Sequence, residues 1–166
     1  SRLLKESEDA SRKISSIVAN MLLFARPDAS DTVRFNVIDG LKSALRIMQS
    51  EITEKCRLFE DYYVVSDIIG YPGDINLAFL SILNNALQAI HEDGSIWIKV
   101  WEDSGRICIS IRDDGCGMSS DDMKCIFDPF YSTRPLGKGL GLGLSVAHTV
   151  VSKHDGRIEV VSEVGK

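Results

Sequence analysis

Four uncharged polar residues, Ser81, Asn84, Asn85 and Gln88, recur at i, i+3, i+4 and i+7 in a stretch that is otherwise apolar from Leu77 to Ile90. A helix that is apolar nearly all round is buried, so its polar side chains need partners. A solvated stripe would use Glu, Lys or Arg, which are good helix formers, whereas asparagine is a poor one. An amide oxygen is also a hard ligand suited to Mg²⁺. The plainer reading is a polar edge on a core helix, and the stripe alone leaves both open.

Two glycine-bearing segments follow. In Asp113-Asp114-Gly115-Cys116-Gly117 a carboxylate at the end of an alternating strand precedes glycines that let backbone approach a ligand closely. Such a carboxylate can accept a hydrogen bond from an exocyclic amine. Adenine offers that amine where guanine presents a carbonyl; a plain Asp-Gly turn is the alternative. In Gly137-Lys138-Gly139-Leu140-Gly141-Leu142-Gly143-Leu144, four glycines stand just before an amphipathic stretch. Each glycine within a helix costs roughly 0.5–1 kcal/mol relative to alanine. Bare backbone N–H groups at a helix N-terminus form a phosphate site, with Lys138 and Arg134 as neighbouring cations. A flexible hinge is the competing reading. The segment is not a Rossmann turn, because a loop and not a strand precedes it, and no GxxxxGK[ST] occurs in the chain.

The elements that must position these residues follow from periodicity. Leu3, Ala10, Ile17 and Phe24 recur every seven residues, with Ile14 and Met21 between them, and Pro27 closes this heptad helix. Residues 27–32 read as a linker. Val33–Phe35 is extended, and Asn36 is placed to cap a helix through about Ser50 with Ile38, Leu41, Leu45 and Met48 on one face. Short strands are expected around Cys56–Glu60 and Tyr62–Val65, then a Tyr71–Asp74 turn opening a helix over Ile75–His91. Ile96, Ile98 and Val100 alternate with Trp97, Lys99 and Trp101, and Ile107, Ile109 and Ile111 with Cys108 and Ser110, which predicts a β-hairpin. A short helix near Ser119–Ile126, a loop from Phe127 to Lys138, a helix from about Leu140 to His154 and a strand at Arg157–Ser162 complete the reading. This order gives an α+β, two-layer sandwich with a mixed sheet and helices on one face, preceded by one long helix.

Composition sets the outer limits. The 166 residues carry 19 basic and 24 acidic side chains, a net charge of −5, with 44% hydrophobic residues. This is an ordinary globular balance, and it disfavours a nucleic acid partner. Cys56, Cys108, Cys116 and Cys125 form no CxxC pair and read as reduced thiols. The three histidines have no metal-ligand spacing. No apolar run approaches the ~20 residues of a membrane span, and polar Ser1–Lys13 is no signal peptide.

Taken in order, the three motifs resemble the N, G1 and G2 boxes of the Bergerat-fold ATP-binding domain of two-component sensor histidine kinases. Phe127-Asp128-Pro129-Phe130-Tyr131-Ser132-Thr133 resembles the F box. The resemblance covers roughly residues 33–166. It implies an ATP site formed by Asn84, Asn85, Gln88, Asp113, Gly115, Gly117, Phe127, Phe130, Thr133, Arg134, Lys138, Gly139, Leu140, Gly141, Leu142 and Gly143. Within that site Asn85 would coordinate Mg²⁺, Asp113 would take the adenine amine, and Gly139, Gly141 and Gly143 would bend around the triphosphate. Phe127–Leu136 would belong to a mobile lid. The heptad segment 1–26 is similar to the second helix of the dimerisation and histidine-phosphotransfer hairpin. The partners implied are that hairpin, from its own or a sister chain of a homodimer, and a response regulator receiver domain. The setting implied is the cytoplasm, in a free protein or in the cytoplasmic part of a membrane-anchored sensor.

The chain also departs from the family pattern. It lacks the H box that carries the phosphoacceptor, which His91, His148 and His154 do not match. Ser81 stands where many members have the first Asn of the N box, and Leu140 where the G2 box commonly has Thr or Ser. Family members usually continue beyond Gly165-Lys166 with a further strand. Ser81 also occupies the position of the general-base Glu in gyrase-, chaperone- and mismatch-repair-type relatives, which disfavours hydrolysis by that route. Besides the kinase module, a degenerate ATP-binding interaction domain and a Bergerat-fold protein-serine kinase remain the alternatives.

Overall fold

The computed structural model describes residues 32–91, 93–133 and 140–165. The heptad segment, all but the last residue of the linker, and Arg134, Lys138 and Gly139 lie outside the described residues. In chain order the elements are β1 (Val33–Phe35), α1 (Val37–Ile47), α2 (Gln49–Lys55), β2 (Cys56–Tyr62), β3 (Ile68–Gly70), α3 (Pro72–Ala89), β4 (Gly94–Asp103), β5 (Arg106–Asp113), α4 (Ser120–Cys125) and α5 (Gly143–Lys153).

Helix α1 starts where its cap requires: the Asn36 side chain accepts from the Ile38 N–H at 2.9 Å. It buries Val37, Leu41, Ala44 and Leu45, while Ile38 is only half-buried. The helix ends earlier than the sequence suggests. Met48, at φ −95° and ψ 4°, leaves the helical region, and a second short helix, α2, restarts at Gln49 and buries Ile52.

Helix α3 opens at Pro72, three residues before the expected start. Proline fits the first helical position because its missing N–H would have no partner there. Its buried face consists of Ile75, Ala78, Phe79, Leu83, Ala86 and Leu87. This face packs with α1 and α5 over the inward residues of β4, Ile96, Ile98 and Val100, all at most 1% exposed. At its far end α5 is clipped back to the start of α3. The Tyr71 N–H donates to His154 Nε2 at 3.0 Å, and His154 Nδ1 meets the Val150 carbonyl at 2.8 Å. A ring nitrogen that accepts carries no proton, so the imidazole is the neutral tautomer with its proton on Nδ1.

Among the described residues the main sheet has the order β2-β4-β5, with β2 parallel and β5 antiparallel to β4. The mixed sheet with helices on one face matches expectation. A separate antiparallel pair, β1-β3, sets Arg34 opposite Ile69. The Tyr62–Val65 segment differs from its sequence reading. One strand runs from Cys56 to Tyr62, Tyr63 adds a last bond to the Val100 carbonyl, and Val64 stands exposed. Residues 157–162 also differ, since no strand forms. Ile158, Val160 and Ser162 are half-buried in strand-like alternation, and Ser162 Oγ accepts from the Met118 N–H, just past the glycine loop, at 2.9 Å. Among the described residues no helix is long and apolar enough to cross a membrane.

Candidate nucleotide site

The polar stripe of α3 lies between two glycine contacts. A Cβ built on Gly143 would sit 3.7 Å from the Ser81 Cβ, so the N-terminus of α5 abuts the start of the stripe. At the other end, the Gly115 Cα approaches Ala89 so closely that a Cβ there would be 2.6 Å from the Ala89 carbonyl carbon. The Cys116 N–H donates to the Ala89 carbonyl at 3.0 Å. Ser81 and Ala89 are eight positions apart, about 12 Å along the helix, and Asn85 lies midway between them. Asn84 and Gln88 are exposed and bond each other, Gln88 Nε2 donating to Asn84 Oδ1 at 2.9 Å. Asn85 is half-buried, and its amide has no hydrogen bond among the described residues.

Asp113 is half-buried at the end of β5, opposite Ile96. Its Oδ1 accepts from the Gly115 N–H at 2.9 Å, which fixes the carboxylate while leaving Oδ2 unbonded among the described residues. The loop itself is held by Asp114, a residue the sequence did not single out. Asp114 Oδ1 accepts from the Ser95 N–H at 2.7 Å, and the Asp114 N–H donates to the Ser95 carbonyl at 3.3 Å. Gly117 takes a φ of +68° beside the Glu163 carbonyl.

The F-box and G2 segments are joined through backbone. The Phe130 N–H donates to the Gly141 carbonyl at 3.0 Å, and Gly141 has a φ of +65°. A left-handed residue cannot continue a helix, so α5 begins at Gly143 and not at Leu140. Leu142, the residue before α5, is buried and offers no side-chain cap, and no acidic residue occupies the first turn. The first amides of α5 therefore keep unsatisfied donors and the positive end of the helix dipole, the features that bind phosphate. Leu140 is 46% exposed. The Phe127 ring packs on His148 of α5 with centroids 4.9 Å apart. Phe130 and Thr133 are exposed.

The Tyr131 hydroxyl donates to Asp122 Oδ1 at 2.6 Å. Asp122 also completes the capping box of α4 with Ser119. Hydrogen bonds from Ser119, then Tyr131, hold the Asp122 carboxyl below its ordinary value. The Asp122 carboxylate in turn pushes the Tyr131 phenol up to about 12. Among the described residues no group of three or more His, Cys, Asp or Glu side chains forms a metal cluster.

The chain has known relatives. Residues 70–166 match the family described as histidine kinase-, DNA gyrase B-, and HSP90-like ATPase. Sporulation kinase E of Bacillus subtilis (strain 168) is 29% identical over 161 residues, 93% of this chain and 21% of that protein. The signal transduction histidine-protein kinase AtoS of Escherichia coli (strain K12) is 33% identical over 160 residues, 92% of this chain and 25% of its own length. The chain thus spans between a fifth and a quarter of these two curated relatives. The full-length ShkA crystal structure in complex with AMPPNP superposes on 99% of this chain and 35% of its own, with a TM-score of 0.80 at 21% identity. That likeness shows a shared fold, with the α3 stripe, the Asp113 loop and α5 all in the matched region. The chain belongs to the histidine kinase-, DNA gyrase B- and HSP90-like ATPase family.

Proposed function

We propose that residues 33–166 form the ATP-binding catalytic domain of a sensor histidine kinase. Segment 1–26 is then the second helix of its dimerisation hairpin, and 27–32 the linker. The observation that carries this reading is the convergence of the Asp113 carboxylate, the α3 stripe and the uncapped α5 N-terminus around one helix face. Support comes also from the relatives: Sporulation kinase E and AtoS are named as kinases, and ShkA was solved with an ATP analogue.

In this reading Asp113 Oδ2 accepts the adenine amine, and Gly115 and Gly117 shape the pocket floor. The α5 amides hold the phosphates with Gly141 and Gly143 bending around them, and the family resemblance gives the same role to Gly139 and a charge-neutralising one to Arg134 and Lys138. Asn85 fits Mg²⁺, because its amide oxygen is half-buried and otherwise unbonded; the cation would neutralise phosphate charge. The acceptor is a histidine of the hairpin, in the same or a sister chain. Its ring nitrogen forms the bond to the γ-phosphorus while the bond to the ADP oxygen breaks. The protein's work is then positioning and charge neutralisation, as in phosphoryl transfer generally. His154 is not that acceptor, since both its ring nitrogens are engaged. The phosphoryl group would then pass to a response regulator receiver domain. Ser81 offers no base for water, which favours transfer over hydrolysis.

Calorimetric titration with a non-hydrolysable ATP analogue tests this. Saturable binding that needs Mg²⁺ and is not reproduced by the GTP counterpart is expected. Asp113→Ala should abolish it while the circular dichroism spectrum stays unchanged. Unaltered affinity in the folded variant overturns the pocket assignment.

A further inference from the structure

The face of the β2-β4-β5 sheet turned away from the core is unusual for an exposed surface. Because Ile96, Ile98 and Val100 point inward, alternation sends Trp97, Lys99 and Trp101 outward. Phe59 stands opposite Trp97, and Trp97 opposite Arg112, so one row crosses all three strands. The Phe59 and Trp97 rings stack at 5.6 Å with 10° between their planes, and the Arg112 guanidinium sits 5.3 Å from the Trp97 ring. A second cluster lies farther along the sheet, where Lys99 Nζ is 5.3 Å from the Tyr63 ring and 5.7 Å from that of Trp101. Phe59, Tyr63 and Trp97 keep 46%, 52% and 37% of their surface exposed. Both tryptophans of the chain are on this face.

Its charge is opposite to that of the molecule. Arg57, Lys99, Arg106 and Arg112 share this face with Asp61 and Asp103, and with Asp114 at its end opposite Ser95, a local excess of one positive charge on a chain of net charge −5. None of the four cations forms an ion pair among the described residues. Tryptophan, tyrosine and arginine are the residues enriched at the centres of protein interfaces. Three strands about 4.8 Å apart and some six residues of length give a face about 10 Å by 20 Å. This is well below the roughly 800 Å² that a standard interface takes from each partner, so a second copy of the chain would gain too little area here. The Phe59–Trp97 stack and the cations beside Trp97, Tyr63 and Trp101 already take up ring faces, and so small a positive excess gives little hold on a phosphate backbone. Ring edges and cationic tips remain.

We propose that this sheet face docks a short acidic segment of a partner protein, with carboxylates on Lys99 and Arg112 and apolar side chains against the Phe59–Trp97 and Tyr63–Trp101 rings.

Trp97 and Trp101 are the only tryptophans, so the chain's intrinsic emission reports on this surface directly. A phage-displayed library of random dodecapeptides, selected on the whole chain, supplies the probe, and the enriched peptides are synthesised and titrated while tryptophan emission is followed. Enriched sequences should be rich in Asp and Glu with apolar anchors, shift the emission saturably and weaken as salt rises. Binding should fall at least about tenfold in Lys99→Glu and in Arg112→Glu. Both changes are at exposed positions, and a circular dichroism spectrum like that of the parent shows that each variant is folded. Basic or neutral enriched peptides, no enrichment, or binding that leaves the emission or either variant's affinity unchanged would each overturn the proposal. So would an emission change with oligo(dT), or one that tracks chain concentration without peptide, which would assign the face to nucleic acid or to a second copy.

Discussion

Gly117 and Gly73 show how differently the same residue type can act. Gly117 sits at φ +68°, and a Cβ there would lie 2.0 Å from the Glu163 carbonyl oxygen. Gly73 lies in the first turn of α3 with ordinary φ and nothing within 4 Å of an added Cβ. Gly117→Ala should therefore lower stability by at least about 1–2 kcal/mol from the left-handed backbone alone, with the clash adding to it. Gly73→Ala should raise stability by about 0.5–1 kcal/mol by removing unfolded-state freedom. Urea unfolding of the two variants checks the opposite signs, and a shift in the same direction for both would refute the argument. At this scale the candidate site was readable wherever a residue's identity carries its chemistry. Asp113 at a strand end, the glycines around it and the amide stripe are recognisable from type and spacing. Asp114 was not, because its partner is the Ser95 amide, 19 residues earlier, and only the register of β4 against β5 brings them together. The hydrogen bond between Asn84 and Gln88 is written in their i, i+4 spacing.

Among the elements, the short helix α4 and the F-box segment are joined by the Asp128 N–H donating to the Cys125 carbonyl at 2.9 Å and, through side chains, by one carboxylate. Asp122 closes the capping box with Ser119 and accepts from Tyr131. Its folded pKa is depressed, so its contribution is present above the ordinary value of 3.8 and is lost as pH falls through the lower folded value. The Tyr131 phenol is shifted the other way. Its contribution is complete below the ordinary value of 10.0 and is lost as pH rises toward about 12. The difference in thermal midpoint between the parent chain and Tyr131→Phe should thus be greatest between these limits and shrink on both the acid and alkaline sides. A flat difference from acid to alkaline pH would show that the hydrogen bond contributes nothing. Elements with strong periodicity were legible, namely the β4-β5 hairpin, α3 and the Asn36-capped α1. Boundaries were less so, because backbone decides them. Gly141 turns left-handed to meet Phe130 and delays α5 to Gly143. Strand β3 is three residues long and forms by pairing with β1, where Arg34 stands opposite Ile69, 35 positions on, which no local pattern encodes. Residues 157–162 carry strand-like alternation without a ladder, since alternation reports burial and not backbone pairing.

For the molecule as a whole, the helix that carries the polar stripe also crosses the centre of the core. Leu83 is 0% exposed and shares α3 with Asn84 and Asn85, so the same backbone serves packing on one face and the proposed ligand on the other. Leu83→Ala removes buried methyl groups and leaves a cavity among α1, α5 and the sheet, which costs about 2–5 kcal/mol. If the cavity only lowers stability, the stripe keeps its place and the intrinsic nucleotide affinity is unchanged. A ligand present at 100 times its dissociation constant then stabilises the parent and the variant equally, by about 2.7 kcal/mol. If α3 instead shifts to fill the cavity, the distances from Asn85 to the Asp113 loop and to the α5 amides change together. The stabilisation by ligand then falls in the variant. Unfolding curves of parent and Leu83→Ala, with and without the ATP analogue and Mg²⁺, separate these cases. Equal ligand-induced stabilisation on a less stable background is expected, because the flanking contacts at Ser81 and Ala89 pin α3 on both sides of Leu83 independently of its side chain. A smaller stabilisation in the variant would mean that the core side chain itself sets the register of the site.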